Sequence, residues 1–427
     1  MSATQSSGLI DPPPLSLARL GSSVTRTLIL AGCVSSLSLL LGTWLAWAGE
    51  KTCYPGSRVL GLLGTLPLAI PSYLLAAILR EELAPKGTIG AVLGTENAFA
   101  GFGPAVLVLT LTCTPYVQLL VTSALHTLPQ AEDEAARSLG ASRWKRFRQL
   151  AAPRLRPTWA FALTLIGLYV VSDFGAVAVL DYHVLTWDLY HSRGAHDSYL
   201  IALGILLCVI PLLVGIQRVR GAAQQDSRQG GPRSAILPPR MKGPPLLFAY
   251  LGHLFMVGVG VILPLCTLLG WVFGGWIHRV SFAGIVGPLT TTLWYATLGA
   301  GLILVTSLIP AAFSSRSLKS AKWTEAAAFI TSSLPGILVA FGILHLVLFV
   351  ERKMPLLFWS ETIWDTFKYS GGLLFLGYVM RFLSQGYAAV RPALLQVDLL
   401  SRYGRSYQAG PQSEVVGKGV FPGLLQC

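Results

Sequence analysis

Charge is what this chain has least of. Only 12% of its 427 residues are Asp, Glu, Lys or Arg, about half the roughly 25% of an ordinary soluble protein. A soluble fold of this length needs charged surface that is not there. No GxxxxGK[ST] loop occurs, so the chain lacks that cradle for nucleotide phosphates, and there is neither an HExxH pair nor a Ser/His/Asp arrangement. These absences leave no enzyme active site and call for no cofactor. The cysteines (Cys33, Cys53, Cys113, Cys208, Cys266, Cys427) form no CxxC pair and read as small apolar packing residues. The first 20 residues are polar and Pro-rich and lack the apolar core of a signal peptide.

What fills the chain instead is hydrophobic residues, 53% of the total. They recur in runs of about 20, the length that crosses roughly 30 Å of hydrocarbon as helix. The runs do not alternate polar with apolar, as barrel strands would. The expectation is an all-α polytopic membrane protein with about nine transmembrane helices, near 24–48, 59–79, 103–125, 158–180, 198–217, 246–272, 289–313, 324–350 and 369–391. Alternate loops are basic: 126–157, 218–245, 314–323 and the tail from 392. That is the positive-inside pattern, so these loops belong on the cytoplasmic side of a multi-pass inner (plasma) membrane protein. The net charge of +13 then orients the chain in the lipid bilayer, and no nucleic acid partner is needed to explain it.

The chain also repeats itself. Residues 218–245 are rich in Gln, Gly, Pro and Arg and read as a cytoplasmic linker. It separates a first half, 24–217, from a second, 246–427, with a polar segment 1–23 in front. Leu66-Pro67 answers Leu334-Pro335, and "PYVQLLVTSALHTLPQAE" answers "RFLSQGYAAVRPALLQVD", at an offset of roughly 265–270 residues. Equal span order with the linker on one side implies two pseudo-symmetric halves related by an axis along the membrane normal. The span 246–272 has no partner in the first half, and nine spans with a cytoplasmic tail put the N-terminus outside.

One segment breaks the apolar pattern: "AEDEAARSLGASRWKRFRQLAAPRLRP", residues 131–157, with seven Lys/Arg and three acids. "EDEAARSLG" favours helix, and Gly140 is suited to end it. "SRWKRFRQLAA" reads as a second short helix, with Trp144, Phe147, Leu150 and Ala151 on an apolar stripe beside a basic face and Pro153 closing it. Such a helix–turn–helix suits insertion into a soluble partner, or rests on anionic lipid. The order Glu134-Ala135-Ala136, Gly140, Leu150, Pro153 resembles the EAA signature of ABC-importer permease subunits. The resemblance continues over most of the chain, in "LPLAIPSYLLAAIL", "SDFGAVAVLDYHVLTWDLY" and "YVMRFLSQGYAAVRPALLQVD", and points to fused two-halved permeases of the ferric-iron-transport type.

What the resemblance implies is a type I ABC importer permease fold. A cytoplasmic ABC ATPase dimer would be docked through Glu134, Ala135, Ala136, Gly140, Arg143, Trp144, Phe147, Leu150 and Pro153. A periplasmic solute-binding protein would deliver ferric iron or a related small solute at the other face. The second half departs from the pattern: Leu400, Ser401 and Arg402 lie where the Glu-Ala-Ala triad belongs, so its loop is degenerate. The chain is expected to be shortened at both ends relative to that family. A non-transporting remnant or scaffold, or an ion-driven secondary transporter, stays open as an alternative.

Polar residues inside apolar runs mark candidate pathway positions. Arg381 lies within a span, where a cation costs roughly 2.5–3.5 kcal/mol on insertion scales and is expected to face the bundle, a partner or a cavity. Asp173, Ser72 and Tyr116 are expected either to line a route or to fix helix packing. His183, His191 and His196, with Asp181, Asp188 and Asp197, populate an external loop whose spacings fit no compact metal site.

Overall fold

A computed structural model describes residues 17–52, 54–94, 96–126, 130–192, 195–226, 243–277, 283–314, 324, 327, 334–353 and 370–409. Among these residues the regular elements are all helical. Seven helices are long and apolar enough to cross a membrane, and a bent pair brings the number to eight. The described part of the remaining expected span, 324–350, is the helix Gly336–Lys353, which ends on Glu351, Arg352 and Lys353. Contacts divide the chain into two units.

The first unit is built on α1 (Leu17–Lys51) and α5 (Phe102–His126). Their backbones touch at Gly42: a Cβ there would sit 2.6 Å from Val117 Cβ and 2.9 Å from the Thr114 carbonyl, so only glycine fits. α8 (Ala152–Ser172) lies against α1 and against α11 (Ala195–Asp226). Two buried hydroxyls in α5 turn back on their own helix, Thr112 donating to the Val108 carbonyl at 3.0 Å and Thr114 to the Thr110 carbonyl at 2.7 Å. That satisfies polar groups where no water can.

The expected span 59–79 is not straight. It is α2 (Ser57–Leu63), a 3₁₀ turn Leu66–Ala69 and α3 (Ser72–Glu82), bent by 97° between the two limbs. The sequence "LPLAIP" explains the break. Pro71 has no N–H to donate, and it forces the residue before it out of the helical region, so Ile70 is extended at φ −98°, ψ 119°. A short helix, α4 (Thr88–Leu93), follows.

The helix after the linker, α12 (Pro244–Val257) continued by a π turn Gly258–Ile262 into α13 (Leu263–Ile277), packs on the first unit. Tyr54 meets Tyr250 edge-on at 5.3 Å, the Tyr250 hydroxyl donates to the Pro55 carbonyl at 2.9 Å, and Thr267 donates to Glu82 at 2.9 Å. By packing, α12 and α13 group with the helices that precede the 218–245 linker.

The second unit pairs α14 (Ala283–Ser314) with α16 (Gly372–Ala409), and most of α15 (Gly336–Lys353) belongs to it. The Tyr295 ring lies 5.5 Å from that of Phe375, tilted by 34°, and its hydroxyl donates to the Ser370 carbonyl at 3.0 Å, while Ala311 and Tyr387 form a small buried core with Val390 and Leu394.

Candidate functional site

Two polar constellations stand out in the first unit. At the end of α1 that carries Glu50, which meets His126 at 2.6 Å, lies the charged hairpin. Its first arm is α6 (Gln130–Ser138). Gly140 takes φ 75°, its N–H bonds the Arg137 carbonyl at 3.0 Å, and the Ala141 N–H bonds the Ala136 carbonyl at 3.0 Å. This pair of bonds is a Schellman stop, which requires a left-handed residue. The Ser142 hydroxyl then accepts the Lys145 N–H at 3.3 Å and opens α7 (Arg143–Arg146).

The second arm differs from the expected short helix closed by Pro153. α7 runs through a π turn, Phe147–Ala151, directly into α8, so Trp144–Ser172 is one continuous membrane-length helix. Pro153 occupies the first turn of α8, just past the π turn, where the change of register spares it an amide donor.

The hairpin is held shut by charge. Arg154 grips Glu132 with a fork of two 2.8 Å contacts, and Arg146 bonds Asp133 at 2.7 Å. The Arg154 hydrogen bond holds the Glu132 carboxyl below the usual carboxylate range. Glu134, partly buried, takes no part in these pairs, and Ala135 and Leu139 face outward. Gly140 and Pro153 are exposed, Ala136 and Leu150 are half-buried, and Arg143 opens α7 with a side chain that lies outside the described residues. Phe147 is the anchor: its ring lies 4.8 Å edge-on from Trp47 of α1, 5.7 Å stacked on Trp144 and 6.3 Å from Trp159. Trp144 nevertheless stays 69% exposed, so the expected apolar stripe is buried only toward α1.

The second constellation centres on Asp173, at the junction of α8 and α9 (Gly175–Val179). Ser72, at the start of α3, donates to Asp173 Oδ2 at 2.6 Å, and Oδ1 accepts the Ala176 N–H at 2.9 Å. Tyr116 reaches the group through Tyr169, ring to ring at 6.1 Å. The structure thus brings Ser72, Asp173 and Tyr116 into one neighbourhood and engages both Asp173 oxygens, while Arg381 lies half-buried on α16 of the second unit. Beyond Asp173, Arg80 bonds Asp181 at 2.6 Å and the Val179 carbonyl. The ring of His183, just before α10 (Leu185–His191), stacks with those of Trp187 and His191 in it at 3.9 Å spacing. Asp188, in the same helix, accepts the Ser23 hydroxyl and pairs with Arg19 at 3.5 Å. Among the described residues no three His, Cys, Asp or Glu come together as metal ligands.

Trp47, Trp159 and Tyr169 carry no motif, and sequence reasoning missed them. Asp133 with Arg146 and Glu132 with Arg154 were visible only as opposite charges in one short segment.

Residues 38–228, which contain the whole hairpin and the Asp173 group, match the family described as binding-protein-dependent transport system inner membrane component. Over 409 residues the chain is 22% identical to the Fe(3+)-transport system permease protein FbpB 2 of Haemophilus influenzae, covering 92% of this chain and 74% of that one. It is 29% identical over 161 residues to the sulfate transport system permease protein CysW of Escherichia coli, covering 37% of this chain and 55% of the relative. A probable molybdenum ABC transporter permease protein of Haloferax volcanii is 26% identical over 186 residues, 42% of this chain and 68% of its own. Against the sulfate permease the chain spans about half of the relative's length.

Proposed function

We propose, from the premise that residues 38–228 belong to the binding-protein-dependent transport system inner membrane component family, that this inner-membrane permease component, which is not an enzyme, couples to a separate cytoplasmic ATPase through its 130–157 hairpin. The carrying observation is the hairpin's construction. Gly140 sets a fixed stop, two ion pairs hold the arms together, and the second arm is continuous with a membrane-length helix rather than a separate surface helix. A push on Glu134, Ala135 or Leu139 by a docked partner is therefore delivered straight into α8, and through Phe147 into α1. Alternating access between two states of the bundle is the response such a lever would drive.

At the opposite end, the Arg80–Asp181 pair and the His183–Trp187–His191 stack offer a charged and aromatic surface for a periplasmic binding protein. Ferric iron is the solute class we put first, because the relative aligned over 92% of this chain is a Fe(3+) permease. Sulfate is the second, carried by the shorter match.

The test is reconstitution of the chain with its ATPase and binding protein in proteoliposomes. Uptake of radiolabelled ferric iron and of sulfate is measured beside ATP hydrolysis. The expected result is ATP-dependent uptake that Gly140→Asp abolishes. If the tagged chain co-purifies with no ATPase and Gly140→Asp leaves uptake intact, the coupling role is wrong.

A further inference from the structure

α1 is apolar for most of its length, but Arg19, Ser23 and Thr27 recur at four-residue spacing along one of its faces. All three turn to α10. Asp188 of that helix is buried, accepts the Ser23 hydroxyl and pairs with Arg19 at 3.5 Å. The buried Thr27 hydroxyl accepts the Leu185 N–H at 3.1 Å. The next residue, Thr186, bonds a different helix: it donates to the Asp173 carbonyl at 3.0 Å. That carbonyl lies at the end of α8, where helical acceptors have no partner of their own. Adjacent residues of α10 thus fasten α1 and α8.

α1 and α8 lie against each other, and at their other ends Phe147, in the turn leading into α8, meets Trp47 of α1. The two helices are joined near the hairpin by rings and at the far end by α10. These joints differ in kind. Apolar rings can shift past each other and stay in contact, whereas buried hydrogen bonds cannot. A slide of roughly 1.5 Å, one residue of helix rise, takes such bonds out of range and leaves polar groups unpaired. The segment that α10 pins also carries α3. Ser72 at the start of α3 bonds Asp173, and Arg80 near its end bonds Asp181 and the Val179 carbonyl. Tyr73 packs so closely on Gly175 that a Cβ there would lie 2.8 Å from it. One limb of the bent pair therefore rides on residues 173–181.

We infer that α10 is a brace that makes α1 and α8 answer the hairpin as one frame and carries their movement to α3, with Asp188 and Thr186 as its positioning residues. This rests on the proposed coupling of the hairpin to an ATPase.

The quantity to read is solute taken up per ATP hydrolysed. It is measured in proteoliposomes holding the full chain with its ATPase and binding protein, supplied with radiolabelled ferric iron or sulfate. Asp188→Asn and Thr186→Val should each lower that ratio at least about fivefold, the lower end of ordinary coupling between sites. Thr186→Ser, which keeps the hydroxyl, should restore it. Because the brace fails when either fastening is cut, the double variant should fall no further than the worse single one, a departure from additivity. Should Asp188→Asn not fold, Ser23→Ala weakens the same fastening and takes its place. Thermal unfolding in detergent separates the brace from simple packing, which would lower the unfolding temperature and leave the ratio alone. An unchanged ratio in either single variant, or losses that multiply in the double, overturns the brace. If Gly140→Asp then still abolishes uptake, the coupling reading stands without it. If Gly140→Asp leaves uptake intact, the coupling reading is wrong and the brace goes with it.

Discussion

Gly140 sits at φ 75°, where a side chain costs about 1–2 kcal/mol, and more if it is β-branched. Gly140→Val is therefore expected to fray the end of α6, while Gly140→Asn is better tolerated because Asn enters the left-handed region more readily. Limited proteolysis of the hairpin in the purified chain checks this, and equal cleavage of the two variants would contradict it. Ser72 donates one of the hydrogen bonds that occupy the Asp173 carboxyl. Removing it with Ser72→Ala strips that carboxyl of its side-chain donor, a loss of about 1–3 kcal/mol. Asp173→Ala should cost more, since it also strips the Ala176 N–H of its acceptor, and thermal unfolding in detergent should rank the two in that order. Glu132 responds to pH in the carboxylate direction. Its folded-state pKa is depressed, so the Arg154 fork is fully present above the ordinary Glu range and is lost as pH falls through the lowered value.

Whole elements meet at a few joints. α1 and α5 approach closely only because residue 42 is glycine. Gly42→Leu would drive a side chain into Val117, and overpacking of this kind costs about 1–3 kcal/mol. A fall in the unfolding temperature should follow, larger than that from Gly32→Leu on the same helix, where a Cβ would meet nothing within 4 Å. The second joint is Phe147 among Trp47, Trp144 and Trp159. Phe147→Leu keeps an apolar side chain but loses the ring contacts, so the hairpin should still dock while motion passes less faithfully to α1. Uptake in proteoliposomes is expected to fall more than ATP hydrolysis does. A proportionate fall of both would place Phe147 in docking instead.

At the scale of the molecule, the two ends of the first unit are chemically distinct. Glu50, His126 and the basic hairpin gather at one, and Arg19, Ser23, Asp181 and Asp188 at the other. The proposal from the basic-loop pattern is that the hairpin end faces the cytoplasm. A cysteine replacing Lys145 should then react with a membrane-impermeant thiol reagent only in inverted vesicles. One replacing Tyr190, which is 64% exposed on α10, should react only in right-side-out cells. Labelling of both from one side would reverse the topology.

Helicity, membrane residence and the hairpin's turn were legible in the sequence because each rests on local chemistry. Twenty apolar residues must satisfy their own backbone in lipid, and a glycine following helix-formers can adopt a left-handed stop. The bend at Pro71 was written there too, but hydropathy measures the length of an apolar run and not its direction, so 59–79 read as one straight span. Pro153 misled in the opposite sense, since a π turn next to a proline has no pattern of its own. The aromatic cage joins Trp47 to Phe147, and the polar knot joins Ser72 to Asp173, across about 100 residues of chain in each case. Such contacts, like the packing of α12 and α13 on the first unit, depend on how helices rotate and tilt against their neighbours. The sequence by itself determined that long apolar helices dominate the chain and where the charged hairpin turns. Only the tertiary structure decided which side chains connect that loop to the bundle, because helix-to-helix contact is chosen by shape across space and leaves no periodic trace along the chain.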